Sequence, residues 1–120
     1  MFRVIIAGGR DFNNYELLQT KMDFYLQNQT DVTIVSGMAK GADALGVRYA
    51  HSKNLNIAEY PAEWKRKDGS CDKAAGYKRN LKMADNADAL VAFWDGHSKG
   101  TKHMIDTMLK RNMPVRIVKY

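Results

Sequence analysis

Cysteine is almost missing from this chain. Cys71 stands alone, so no internal disulfide can form, and a reducing compartment is compatible with the composition. No apolar run approaches the roughly 20 residues that a membrane-spanning helix needs, and no membrane partner is expected. The N-terminal segment MFRVIIAGGRDF lacks the longer apolar stretch and small-residue cleavage site of a secretory leader. It reads as a buried strand, and the expected location is the cytoplasm. His51, His97 and His103 have no ligand spacing with Cys71 or with a carboxylate cluster, so neither a metal nor another cofactor is assigned. There is no Ser-His-Asp pattern in a nucleophile-elbow context. A G-x-G-x-x-G fingerprint and a Gly-Lys-Ser/Thr phosphate loop are also missing, which argues against an ordinary dinucleotide-binding dehydrogenase and a P-loop enzyme. Glutamate is scarce too, confined to Glu16, Glu59 and Glu63.

What remains is a globular composition. With 120 residues, 45% of them hydrophobic and 10% aromatic, the chain is long enough for one core and is read as a single domain over residues 1–120. The seven methionines are read as core filler and chain start. The net charge of +6 is unevenly placed: residues 1–60 hold six Lys/Arg and six Asp/Glu, whereas residues 61–120 hold thirteen against seven. Such asymmetry suits an anionic partner, either a phosphate-bearing small molecule or nucleic acid, and equally a solvated basic surface.

Short β-rich runs alternate with helical patterns along the whole sequence. The runs are Phe2–Ala7, Val32–Val35, Ile57–Tyr60, Ala89–Trp94 and Pro114–Val118. Between them, helical spacing predicts helices from Asn13 or Asn14 to about Gln27, from Ala42 to Lys53, from Ala75 to Asn86 and from Thr101 to Asn112. Residues 61–74 read as a polar loop holding Trp64. This alternation predicts βαβ units and a three-layer α/β sandwich with a mostly parallel sheet of about five strands. Ligands of such sheets bind beyond the carboxyl ends of the strands, and the Gly-rich segments fall at those ends.

Four segments carry the candidate chemistry. Gly8-Gly9 lets backbone N–H groups approach a ligand, and Arg10 adds a fork of donors; a tight turn with a surface Arg is the plainer reading. Ser36-Gly37-Met38-Ala39-Lys40-Gly41-Ala42-Asp43 opens a helix whose dipole favours an anion. Asp43 either bonds a ribose hydroxyl or caps the helix. Trp94-Asp95-Gly96-His97-Ser98-Lys99-Gly100-Thr101 gathers hydroxyl and amine donors where the last helix begins, a combination suited to phosphate. Lys73 to Asn80 places Arg79 in the first turn of a helix, where a cation opposes the dipole and a ligand would explain it. Trp64 either stacks on a base or covers the core.

Taken together these residues resemble the SLOG superfamily, which groups the Smf/DprA and LOG proteins, and most closely its small YspA-like branch. The resemblance rests on Gly8-Gly9-Arg10 with Phe12, on Ser36 to Asp43, and on Pro61-Ala62-Glu63-Trp64. It continues through Lys73 to Gly76, Arg79-Asn80, Ala87-Asp88-Ala89, Phe93 to Gly96, and Ser98, Gly100 and Thr101. It implies a Rossmann-like fold and a ligand pocket above the strand ends. In that superfamily the ligands are nucleotides, NAD- or ADP-ribose-related molecules and signalling nucleotides, often in conflicts between bacteria and phages. The site implied here comprises Gly8, Gly9, Arg10, Ser36, Gly37, Asp43 and Trp64 from the first half. From the second half it takes Arg79, Asn80, Asp95, Gly96, Ser98, Gly100 and Thr101. LOG relatives hydrolyse nucleoside 5′-monophosphates and Smf/DprA relatives bind single-stranded DNA. The LOG pattern P-G-G-x-G-T-x-E-E is broken in this chain, because His103 and Met104 stand where its two carboxylates would be. A sensor or sequestering module is therefore the expectation, with LOG-type phosphoribohydrolysis or single-stranded DNA binding as the alternatives, and a homodimer implied by the LOG likeness.

Overall fold

The computed structural model describes residues 1–120. Five strands and four helices alternate: β1 (Phe2–Gly8), α1 (Tyr15–Tyr25), β2 (Val32–Ser36), α2 (Ala42–Ser52), β3 (Asn56–Glu59), α3 (Ala75–Asp85), β4 (Ala89–Trp94), α4 (Lys99–Lys110) and β5 (Val115–Lys119). All strand pairings are parallel and the order is β3-β2-β1-β4-β5. The fold is the Rossmann-like α/β sandwich that the alternation implies.

The central strand shows why the chain makes three layers. Successive strand residues point to opposite faces, and β1 is apolar on both. Val4 and Ile6 join one core cluster with Leu18 and Met22 of α1 and Tyr49 and Ala50 of α2. Ile5 and Ala7 join the other, with Met83 and Ala84 of α3 and Met104, Ile105 and Met108 of α4. Burying each of these larger side chains is worth about 1.5–3 kcal/mol, so both helical layers are anchored to the same strand. The edge strands differ: β3 and β5 are largely half-buried or exposed, and continuous burial holds only for the three inner strands.

Local signals set most boundaries. Asn14 caps α1, its side chain accepting the Leu17 N–H at 3.1 Å. Two expectations need correcting. Helix α4 begins at Lys99 rather than Thr101, with Ser98 at the N-cap. Arg79 is the fifth residue of α3 and so lies in its second turn, beyond the reach of the unpaired first-turn amides.

Candidate functional site

Strand order reverses between β1 and β4, since β2 and β3 lie to one side of β1 while β4 and β5 lie to the other. Loops leaving the two strands part there and open a crevice beyond their carboxyl ends. A cleft of about 540 Å³ occupies that place, within the usual size of a small-molecule site. Six of its 19 lining residues are hydrophobic, so it suits a polar ligand.

One wall comes from the turn after β1, where Gly8, Gly9 and Arg10 line the cleft together with Asp11. The second comes from α2, where Asp43 lines the cleft; Ser36 and Gly37, expected in this wall, are not among the lining residues. Ser36 is fully buried, and its hydroxyl accepts the Met38 N–H at 3.1 Å. Asp43 sits in the first turn of α2 and is almost buried, its carboxylate accepting the Ala39 N–H at 3.2 Å. Burial raises its pKa above the usual carboxylate value, against the lowering effects of that N–H, Arg79 and Arg10.

Arg79 enters from α3. Its Nη1 donates to the Gly37 carbonyl at 2.5 Å and its Nε to Asn80 Oδ1 at 3.0 Å. A side chain at Gly37 would collide with this guanidinium, so that glycine serves close approach. The Nη2 group has no partner in the protein and remains available to a ligand. Burial lowers the Arg79 pKa; Asp43 opposes that shift and the nearby Arg10 adds to it. Neither arginine makes a direct ion pair, although Asp43 lies close enough to Arg79 to act on its charge.

Asn80 lines the cleft and is also tied into the protein. It is buried, and its amide is committed: Oδ1 accepts from Arg79, while Nδ2 donates to the Gly100 carbonyl at 3.2 Å and lies 3.1 Å from His103 Nδ1. With an amide N–H as donor, Nδ1 must accept, which requires a neutral ring protonated at Nε2. Burial lowers the His103 pKa, in keeping with that form. Asn80 thus ties the cation of α3 to the start of α4.

The start of α4 closes the site. Asp95 Oδ1 accepts the N–H groups of His97 and Ser98, each at 2.8 Å, and these bonds hold its pKa low. Gly96, at φ 88°, shapes this turn but lies off the cleft beside Lys119. The Ser98 and Thr101 hydroxyls are 3.1 Å apart. The N–H groups of Lys99, Gly100 and Thr101 have no acceptor in the protein. At Gly100 the space a Cβ would take is empty. Partial positive charge, hydroxyls and free amides therefore converge where an anion would be held.

Trp64 lines the opposite side, in company with Lys73, Gly76 and Tyr77, which single-residue reading passed over. Lys73, Gly76 and Tyr77 all belong to the Lys73 to Asn80 segment that the sequence did mark. Met83 and Met104 form part of the floor. Asp11 is held by the Tyr120 hydroxyl at 2.6 Å, a pairing across 109 positions that no local pattern announces. No three His, Cys, Asp or Glu side chains converge on a metal-binding point, and no helix is long and apolar enough to cross a membrane.

Comparison with known proteins places this geometry in context. Residues 2–67 match the YspA, cpYpsA-related SLOG family. The Gene 61 protein of Mycobacterium phage D29 is 30% identical over 118 residues, covering 96% of this chain and 94% of that protein. Among solved structures, DNA processing protein A from Streptococcus pneumoniae superposes with a TM-score of 0.74 at 16% identity. The fold covers 97% of this chain and 49% of that one. DNA processing protein A from Helicobacter pylori, described by its single-stranded DNA binding mode, gives 0.65 at 18% identity, covering 97% and 64%. This chain therefore spans about half to under two thirds of those proteins, and the likeness is one of fold.

Proposed function

The chain belongs to the YspA, cpYpsA-related SLOG family, and on that premise we propose that it binds a nucleotide or nucleotide-derived small molecule in the cleft between β1 and β4. It acts as a sensor or sequestering module in the cytoplasm, with assembly as a homodimer part of the same reading. The observation that carries it is the start of α4, where Gly100 and Thr101 line the cleft with their amides unpaired, in a cleft that Arg10 and Arg79 also line. Charge-assisted hydrogen bonds of this kind contribute about 1.5–3 kcal/mol each, and the protein leaves them unmade. A phosphate supplies the acceptors. Hydrolysis is not part of the reading, because Met104 forms the cleft floor where the LOG pattern has a carboxylate. Asp106 is occupied by Lys102 at 2.9 Å.

Single-stranded DNA is the second reading, favoured by the +6 charge and by the fold shared with the DNA-binding Helicobacter protein. Salt separates the two, since DNA contacts release many counterions and a single nucleotide few. In calorimetry against mononucleotides, ADP-ribose and cyclic signalling nucleotides, at least one is expected to bind and to raise the melting temperature. Arg10→Ala, at an exposed position without partners, is expected to weaken that binding while leaving the fold unchanged. Silence from every nucleotide, with tight and salt-sensitive binding of an oligonucleotide, would replace the first reading with the second.

A further inference from the structure

The phosphate end of the cleft has its donors, but the wall facing it has a different character. Trp64 is 42% exposed and Tyr77 44% exposed, and both line the cleft. A loose surface tryptophan would carry no meaning, but this one is held. Its carbonyl accepts the Asp72 N–H at 2.5 Å, and the next residue, Lys65, bridges antiparallel to Cys71. Asp72 is fixed in turn, accepting from Lys78 at 2.8 Å and from the Ala74 N–H at 3.0 Å. The far edge of the indole rests over Gly76, where an added Cβ would stand 3.3 Å from Cη2. Tyr77 is steadied by His103, their rings 4.5 Å apart. Two aromatic side chains are thus anchored at the cleft with faces left uncovered.

We infer that this wall is a stacking platform for the planar base of a nucleotide, with Trp64 as the principal surface and the phosphate directed to α4. The inference rests on the reading that the cleft takes a phosphate-bearing nucleotide, and it narrows the preferred ligand class to base-bearing molecules, favoured over plain sugar phosphates. The physical reason is that an indole face left in water offers a large apolar surface that only a flat partner covers fully. The Trp64 backbone is already held, so stacking has only the side chain left to order. The same base chemistry is offered by a free nucleotide and by a nucleotide of single-stranded DNA, and the platform accepts either.

The test uses adenosine 5′-monophosphate, ribose 5-phosphate and a short oligodeoxythymidylate, measured by calorimetry and by tryptophan fluorescence. Trp64 and Trp94 are the two tryptophans, and Trp64→Phe isolates the Trp94 signal. The base-bearing probe is expected to quench Trp64 emission. Trp64→Ala is expected to weaken it by roughly 5- to 150-fold, the range for one base on an aromatic side chain. Trp64→Phe should recover most of that loss, and ribose 5-phosphate should bind all three proteins alike. If the mononucleotide carries the effect, a free nucleotide is the source; if only the oligonucleotide does, the source is DNA. Equal binding of adenosine 5′-monophosphate and ribose 5-phosphate, unchanged in folded Trp64→Ala, would sink the platform and leave the phosphate site standing. Failure of every probe to bind would remove the nucleotide reading and the platform with it.

Discussion

The starts of α2 and α4 look alike in sequence, each a Gly-containing loop that leaves a strand and opens a helix, yet they are tied to the rest of the fold to different degrees. At α2 the protein takes up part of its own donors, leaving the Asp43 and Ala44 N–H groups without an acceptor. The Ala42 N–H donates to the Gly9 carbonyl at 3.1 Å, and the Ala39 N–H is taken by Asp43. Gly41 at φ 73° lies so close to Gly9 that a side chain would collide with its carbonyl oxygen. At α4 three successive amides are left without acceptors, and Gly100 faces open space. A helix start packed against the neighbouring loop is largely scaffold, and one that faces open space has room for a ligand. Only the second kind is a strong argument for binding, and the difference lies in residues distant in sequence.

The largest effect that would test this contrast comes from exchanging the glycines. Gly41→Ala is expected to destabilise the fold by about 3 kcal/mol, combining positive-φ strain with a backbone clash. Gly100→Ala, with nothing in its way, is expected to stay within about 0.5 kcal/mol of the parent or to gain slightly. Chemical denaturation of the two variants reads both numbers, and equal costs would erase the distinction.

A smaller effect, and one that titrates, belongs to Asp43 on the closed side. Its folded-state pKa is raised by burial, so the native state holds its proton more tightly than the unfolded chain does. The stability contributed by protonated Asp43 is therefore present below the unfolded value and is lost as pH rises through the folded one. Asp43→Asn keeps an acceptor for the Ala39 N–H and removes the charge. Relative to the parent, its stability is expected to improve from acid to neutral pH in paired denaturation curves. A constant difference across that range would mean that Asp43 is not strained by burial.

The smallest effect concerns the caps. Asn14 makes a true cap bond to Leu17, and Asn14→Ala is expected to cost about 1 kcal/mol. Ser98 makes no cap bond, so Ser98→Ala is expected to cost only a few tenths of that, about 0.3 kcal/mol. Its effect should instead fall on ligand affinity. A Ser98→Ala loss as large as that of Asn14→Ala, read by thermal denaturation, would class Ser98 with the scaffold.

Much of this was legible early because the signals are local. Alternating faces in Val4 to Ala7, the Asn14 cap and the strand-helix rhythm all act within a few residues, and they carry the element order nearly to the residue. The Gly-rich loops also marked which end of the sheet to inspect. Asn80, named from the resemblance, does line the cleft, but its ties to Arg79, Gly100 and His103 come only with folding. Gly96 was grouped with its neighbours by proximity in the chain, but its turn faces Lys119 instead.

By itself the sequence determined the α/β class, the family resemblance and the candidate loops, since periodicity, caps and glycine placement are properties of short segments. Tertiary structure alone decided the strand order, the crevice between β1 and β4, and which helix start remains open. Those depend on contacts between residues far apart, such as Arg79 with Gly37 and Tyr120 with Asp11. A donor is free or spent only once the rest of the chain has arrived beside it.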